Sequence, residues 1–138
     1  FSKCFGAPFM PRLASVYAKM LGEKISKHNT SVYLINTGWS GGPYGVGKRI
    51  KIEYSRAMVT AAINGSLDIV KFSHNDIFNL DVPTECPGVP SEVLEPRNTW
   101  VDKDSYDLSA KKLAQMFVDN FKKFENISDE IRLAGPKL

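Results

Sequence analysis

A glycine-rich stretch over residues 36–49 lies between two apolar runs and restricts how the backbone can fold there. Its glycines are Gly38, Gly41, Gly42, Gly45 and Gly47. The stretch ends on two adjacent cations, Lys48 and Arg49. Glycine lets backbone N–H groups approach an anion closely, and the cations add fixed positive charge where the loop ends. The pattern therefore indicates a loop shaped around a phosphorylated ligand, with a nucleotide as the leading candidate.

The spacing from Gly42 to Gly47 and Lys48 matches the G-x-x-x-x-G-K part of a Walker A loop. That motif next requires a Ser or Thr to bind Mg²⁺, and this chain has Arg49 there instead. Residues 50–54 then alternate apolar and polar side chains, which predicts a strand where a Walker A loop is followed by a helix. We therefore expect the loop to contact the nucleoside end or the outer phosphates. A cationic surface hairpin without a ligand is the alternative.

Five side chains in or near this loop are candidates for ligand contact. Arg49 is the first, because a guanidinium can stack on a base and fork onto oxygens, although a solvated cation is the alternative. Lys48 could assist electrostatically or lie in solvent. Ser55 stands where the next helix is expected to begin, so its hydroxyl can act as an N-cap, as a ligand contact, or as both. Trp39 and Tyr44 could stack on a base or anchor the loop.

The remaining pattern predicts a mixed α/β fold. Helices are expected over residues 11–27, 56–64, 127–133 and from Asp104 or Ser105 to about Lys123. Strands are expected over residues 31–35, 50–54 and 69–72, with an extended run over 77–83 and an irregular, proline-rich segment over 83–96. The long helix has an apolar face that should need a large partner surface; its residues are Leu108, Leu113, Met116, Phe117, Phe121 and Phe124.

Composition limits the classes of function. The chain has 138 residues with 43% hydrophobic content, enough for a single domain or a piece of a larger one. Its net charge of +3 comes from scattered residues, which argues against nucleic acid as a partner. No apolar run reaches the roughly 18 residues needed to span a bilayer, and no charged leader precedes a hydrophobic stretch. We therefore expect a soluble, cytoplasmic protein.

The cysteines and histidines do not form a recognisable site. Cys4 and Cys86 are far apart and outside any C-x-x-C pair, so we expect reduced, mostly buried thiols. A disulfide between them, or a catalytic cysteine, is the alternative. His28 and His74 lack further ligands at metal-binding spacing, which predicts two surface histidines and no metal site in this chain.

Five blocks of the chain together resemble a known enzyme family. In order they are FSKCFGAPF, NTGWSGGPYGVGKRIKI, FNLDVPTECPGVP, LEPRNTW and AGPKL. These blocks are similar to the C-terminal part of the ATP-dependent phosphoenolpyruvate carboxykinases, and the likeness extends over essentially the whole chain. It implies that residues 1–138 are the C-terminal segment of the mononucleotide-binding lobe of a larger, two-lobed enzyme, without an internal domain boundary. The absence of an initiator methionine before Phe1 agrees with a fragment.

The resemblance also implies an activity and its cofactors. The family decarboxylates oxaloacetate and transfers a phosphoryl group from ATP, giving phosphoenolpyruvate, ADP and carbon dioxide in gluconeogenesis. Mg²⁺ accompanies ATP and Mn²⁺ occupies a second site, with ligands expected upstream of Phe1. The expected partners are therefore these substrates and the remainder of the enzyme. No catalytic residue is expected in the segment, which should be inert alone. A non-enzymatic phosphate or nucleic-acid binding module is the alternative.

The resemblance implies that two residues of the GKRI block contact ATP, and that a third position also does so although its residue differs from the family's usual one. Arg49 and Ile50 occupy the ATP-site positions of that block, and Ile50 would act through its main chain and its apolar surface against adenine. Ser55 stands where the family most often has a threonine, so the hydroxyl is retained and the methyl group is lost. Lys48 is kept as an additional candidate.

Overall fold

The computed structural model describes residues 5–138. The first part of the FSKCFGAPF block, and with it the prediction for Cys4, lies outside the described residues. The described part of the chain forms six α-helices, one short 3-10 helix and two separate two-stranded antiparallel sheets. This architecture confirms the predicted mixed α/β class.

The elements follow one another as a 3-10 helix over Ala7–Phe9, α1 over Ala14–His28, β1 over Trp39–Ser40, β2 over Lys48–Arg49, α2 over Ile52–Ile63, β3 over Phe72–Asn75, β4 over Leu80–Pro83, α3 over Ser91–Leu94, α4 over Pro96–Thr99, α5 over Lys103–Phe121 and α6 over Asp129–Leu133. Strand β1 pairs with β2, and β3 pairs with β4. None of the helices within residues 5–138 combines the length and apolar composition needed to cross a bilayer.

The predictions for α1, α5 and α6 are confirmed, but α5 begins earlier than expected. Its N-cap is Asp102, whose Oδ1 accepts hydrogen bonds from the backbone N of Asp104 at 3.0 Å and of Ser105 at 3.3 Å. The Ser105 hydroxyl also donates to this carboxylate, and these bonds hold the pKa of Asp102 below its ordinary value. The cap therefore stays ionised and satisfies helix N–H groups that would otherwise be unpaired.

The strand predicted over residues 50–54 is wrong, because α2 begins at Ile52 with Lys51 as its N-cap residue. Ile50 donates the last hairpin hydrogen bond, from its N to Gly38 O at 2.9 Å, and the chain then turns directly into the helix. The buried and half-buried apolar side chains of α2 recur at helical spacing and are Tyr54, Ala57, Met58, Ala61 and Ala62. The helical spacing over residues 54–62 therefore decides the local structure, although residues 50–54 alternate as in a strand. The helix ends at Asn64, as predicted.

The strand predicted over residues 31–35 is also absent from the described structure. No partner strand between residues 5 and 138 pairs with this segment, and a β-strand forms only where a ladder is available. Its alternate side chains Val32 and Leu34 are 61% and 82% exposed, whereas Tyr33 and Ile35 are half-buried. Apolar side chains thus lie on both faces of this segment, which is the composition of a strand that is buried on both faces.

The middle of the chain follows the sequence prediction in part. The strand expected over residues 69–72 is wrong for three of its four positions, since β3 begins only at Phe72. The extended run over residues 77–83 is confirmed for β4, while the preceding residues turn around Asn79, whose φ is 54°. The irregular segment over residues 83–96 is confirmed apart from the short helix α3 and its two end residues, because Pro83 ends β4 and Pro96 begins α4.

The core lies between α2 and the proline-rich segment and is small. Its buried members are Ala61, Leu67, Cys86 and Val89. On α5, the buried residues are Tyr106, Ala110 and Ala114. Four of the larger apolar residues expected to pack from this helix remain exposed, with Leu108 at 71%, because the described chain offers no surface large enough to cover them; the other three are Leu113, Met116 and Phe117. Phe121 and Phe124 are half-buried and contact each other, with ring centroids 5.7 Å apart. Much apolar area therefore faces outward.

Candidate functional site

The glycine-rich stretch forms a hairpin closed by the short strands β1 and β2. Trp39 lies opposite Arg49, and Ser40 lies opposite Lys48. At the tip, the backbone N atoms of Val46 and Gly47 both donate to Pro43 O, at 3.0 and 2.9 Å. The sequence-predicted cations are thus held at the base of a hydrogen-bonded loop rather than at its tip.

Gly47 occupies a position that has no room for a side chain. A Cβ atom built there would lie 2.7 Å from Ser40 O and would also clash with Gly42 O. Backbone oxygens cannot move aside as the end of a flexible side chain can. Glycine is therefore needed here because the two arms of the hairpin approach closely, immediately before Lys48.

Lys48 and Arg49 are exposed and electrostatically unpaired within the described residues. No carboxylate oxygen of residues 5–138 lies within 4.0 Å of either cation. The neighbouring Lys51 differs, because its Nζ lies 3.4 Å from Glu53 Oε1 and this hydrogen bond raises the pKa of Lys51. The hairpin therefore presents two uncompensated positive charges that an anion can use.

Arg49 shares its face of the hairpin with Trp39, which in turn contacts Tyr44 in the loop. Directly opposed residues of an antiparallel pair project to the same side, which places Arg49 beside Trp39. The Trp39 and Tyr44 rings meet edge to face, with centroids 5.3 Å apart. This contact supports the interpretation that the aromatics anchor the loop.

Ile50 lies at the edge of an apolar groove of about 1160 Å³, whose lining also includes Tyr33, Trp39 and Met58. Its side chain is half-buried, and its N–H is already paired with Gly38 O. Ile50 can therefore offer a ligand its carbonyl oxygen and apolar surface, but not its amide proton. These groups suit a flat, weakly polar ring such as a purine.

Ser55 is not the N-cap that the sequence predicted. It is half-buried inside the first turns of α2, where its backbone N donates to Lys51 O at 3.2 Å. Ser55 is not among the residues that line the groove beside Ile50. The structure therefore brings together Lys48, Arg49 and Ile50 on consecutive positions, while Ser55 follows on the adjoining helix.

Sequence reasoning missed a contact between this hairpin and α4. The Ser40 hydroxyl donates to Thr99 Oγ1 at 3.0 Å, across 59 positions of sequence. Both side chains are half-buried. Thr99 belongs to the LEPRNTW block, one of the five that resemble the family, so the sequence marked this position as distinctive. No spacing rule, however, predicts that the block contacts the glycine loop.

The remaining candidates take structural roles. Cys86 is buried, as predicted, and burial raises the pKa of its thiol. Its redox state stays a prediction, because Cys4 lies outside the described residues. His28 and His74 are exposed, as predicted, and His74 Nδ1 lies 2.8 Å from Asp81 Oδ1. Between Phe5 and Leu138, no group of three His, Cys, Asp or Glu side chains is placed to hold a metal ion.

Comparison with known proteins finds relatives that are similar over nearly the whole chain. Residues 1–92 match the model of a family described as phosphoenolpyruvate carboxykinase. The chain is 64% identical over 137 residues to the phosphoenolpyruvate carboxykinase (ATP) of Caldanaerobacter subterraneus subsp. tengcongensis, covering 99% of this chain and 26% of that relative. It is 62% identical over 138 residues to the phosphoenolpyruvate carboxykinase (ATP) of Fusobacterium nucleatum, with coverages of 99% and 26%.

A third relative, the phosphoenolpyruvate carboxykinase (ATP) of Geobacillus kaustophilus, is 57% identical over 137 residues, with coverages of 99% and 26%. The chain thus spans about a quarter of the length of these curated relatives. Identity at this level extends over nearly all of the chain, including the stretches between the five blocks. The chain belongs to the ATP-dependent phosphoenolpyruvate carboxykinase family.

Proposed function

We propose that this chain is the adenosine-binding part of an ATP-dependent phosphoenolpyruvate carboxykinase, which converts oxaloacetate and ATP to phosphoenolpyruvate, ADP and carbon dioxide. The observation that carries the proposal is the close-packed glycine hairpin with two exposed, unpaired cations, in a chain 64% identical to such an enzyme. We assign residues 1–138 to the C-terminal segment of its nucleotide-binding domain, without an internal boundary. The enzyme would act in the cytoplasm, in gluconeogenesis.

Arg49, Ile50 and Lys48 would hold the nucleotide from one side. Arg49 has a planar, permanently charged group that can lie against a base or fork onto ribose or phosphate oxygens. Ile50 supplies apolar surface next to it, at the edge of the groove. Lys48 lies on the opposite face of β2 and would add attraction for the phosphates over a longer range.

The metal ions would be held elsewhere in the enzyme. The described residues do not provide the carboxylate or histidine clusters that Mg²⁺ or Mn²⁺ requires. Mg²⁺ bound with ATP, and Mn²⁺ at a second site, would take ligands from the other three quarters of the polypeptide. ATP supplies the phosphoryl group that the enolate formed from oxaloacetate accepts.

The role of this chain is therefore orientation. Binding energy from the base and ribose fixes where the phosphates lie. Phosphoryl transfer to the enolate then proceeds as an effectively unimolecular step between oriented groups. Without the groups that bind oxaloacetate and metal, residues 1–138 alone should have no activity.

A chimeric enzyme tests the proposal. We define the chimera as the Caldanaerobacter relative in which the matching 137-residue segment is replaced by this chain. It should form phosphoenolpyruvate from oxaloacetate only when ATP is present. We expect its kcat/KM to fall no more than about tenfold below that of the relative, since tenfold corresponds to only about 1.4 kcal/mol of transition-state stabilisation.

A folded chimera that binds ATP no better than the Caldanaerobacter relative lacking its matching segment would contradict the proposal. The competing hypothesis of a nucleic-acid module predicts that the chain binds oligonucleotides, with affinity falling steeply as salt increases. Adenosine contacts predict instead that ATP is preferred over nucleotides with other bases. Fluorescence titration with the four nucleoside triphosphates distinguishes these outcomes.

Ser55 gives a smaller prediction within the same proposal. In the chimera, Ser55→Ala should raise the KM for ATP about twofold to tenfold, the cost expected for one hydrogen bond, and Ser55→Thr should restore it. The half-buried hydroxyl is retained in the threonine variant and lost in the alanine variant. Steady-state kinetics with both substrates measure the effect, and equal KM values for ATP in all three proteins would remove Ser55 from the site.

A further inference from the structure

We propose that Thr99 is a positioning residue for the nucleotide, because it fixes the hairpin that carries Lys48 and Arg49; this inference rests on the proposed function. Thr99 itself would not touch ATP. It would act through Ser40, the residue opposite Lys48 in the hairpin.

The hydrogen bonds at Thr99 run in a defined direction. Its hydroxyl donates its single proton to Pro96 O at 2.7 Å, which leaves the oxygen to accept from the Ser40 hydroxyl at 3.0 Å. A threonine hydroxyl can both donate and accept, whereas a side chain of the same shape without the hydroxyl can do neither. The network therefore depends on the oxygen atom, not only on the volume of the side chain.

The backbone of the loop also lies directly against Thr99. Gly41 follows Ser40 with a φ of 79°, and a Cβ atom built on it would lie 3.1 Å from Thr99 O. The left-handed conformation and the close approach both favour glycine. The first residue after β1 is thus seated on the end of α4, beside the Ser40 hydrogen bond.

The end of α4 is itself held by α5, so it can serve as a fixed support. Arg97 forks onto Asp107, with Nε to Oδ1 at 2.8 Å and Nη2 to Oδ2 at 3.0 Å. The Lys103 Nζ donates to the carbonyl oxygens of Arg97, Asn98 and Trp100 at 2.8, 3.1 and 3.0 Å. These bonds tie the chain on both sides of Thr99 to the first turns of α5.

The contact at Thr99 is connected to Lys48 and Arg49 through the pairing of β1 with β2. Ser40 and Lys48 are paired across the hairpin, and the adjacent pair is Trp39 with Arg49. A two-residue strand pair has little rigidity of its own, so its orientation depends on what it is attached to. Removing the Thr99 hydroxyl should therefore loosen the cations while leaving each of them chemically intact.

Three variants of the chimera test this inference. Thr99→Val removes the hydroxyl at nearly constant volume, and Thr99→Ser retains it. Ser40→Ala removes the other partner without disturbing the bond to Pro96. We expect Thr99→Val and Ser40→Ala each to raise the KM for ATP about threefold to tenfold with little change in the KM for oxaloacetate, and Thr99→Ser to behave like the parent chimera.

The double variant Ser40→Ala/Thr99→Val should be little worse than either single variant, because both remove the same contact. Equal losses for ATP and oxaloacetate, or additive losses in the double variant, would overturn the inference. Arg49→Ala in the same chimera separates this failure from failure of the proposed function. If Arg49→Ala weakens ATP binding and Thr99→Val does not, the site stands and the positioning role is wrong.

Discussion

Replacing Gly47 with alanine should nearly abolish the activity of the chimera. The new Cβ would lie 2.7 Å from Ser40 O and would also clash with Gly42 O, so the arms of the hairpin must separate. Overpacking of this kind costs about 1–3 kcal/mol of folding free energy. A displacement of about 1 Å in a positioning element can cost roughly a hundredfold in kcat/KM, and we expect a loss of that size for the ATP-dependent reaction. Kinetics and thermal unfolding measure the two effects.

Gly22→Ala provides the matched control. Gly22 lies within α1, and a Cβ atom built there meets no heavy atom within 4 Å. Alanine in a helix interior is more favourable than glycine by up to about 1 kcal/mol, so this variant should be slightly more stable and fully active. If Gly47→Ala has the same activity as Gly22→Ala, the hairpin does not require the close approach seen here, or does not affect the reaction.

Arg49→Ala should weaken ATP binding by the largest amount of any single change that leaves the fold intact. The side chain is exposed and has no acidic partner among residues 5–138, so its removal breaks no ion pair within the chain. Loss of a hydrogen bond to a charged group predicts about a tenfold to hundredfold increase in the KM for ATP. The KM for oxaloacetate should stay nearly constant.

Two further variants identify what Arg49 contributes. Arg49→Lys keeps the charge and removes the flat, forked group, so an intermediate KM would indicate stacking or bidentate contact. Arg132→Ala removes an arginine from the surface of α6 and should leave both KM values unchanged. An Arg49→Ala chimera with the KM for ATP of the Arg132→Ala control would exclude Arg49 from the site.

The helices could be predicted from the sequence where their apolar period was long. The pattern in α1 and α5 repeats over several turns, and the predicted spans agree with the structure. The prediction failed at residues 50–54 because three apolar residues in alternation fit a strand, whereas Tyr54 also begins a longer helical series. A short pattern was given more weight than the longer one that contained it.

Strands were harder to predict, because a strand depends on a partner elsewhere in the chain. Residues 31–35 have suitable side chains, but no ladder for them exists within the described residues. The candidate site was affected in the same way. Lys48 and Arg49 could be identified as candidate ligand contacts from the local sequence around them. The contact of Ser40 with Thr99 joins positions 59 apart and follows only from the three-dimensional structure. The chemical character of adjacent residues can be predicted from the sequence, but a contact between residues far apart in the chain cannot.

The outward-facing apolar side chains at Val32, Leu34 and Leu108 have a consequence for affinity. If the rest of the enzyme covers these side chains, the free energy of that burial adds to the Thr99 attachment in setting the share of molecules whose hairpin is ready to receive the nucleotide. The apparent dissociation constant equals the intrinsic one divided by that share. Under the proposed function, substitutions at this covering surface should therefore raise the apparent dissociation constant for ATP without altering an atom that contacts it.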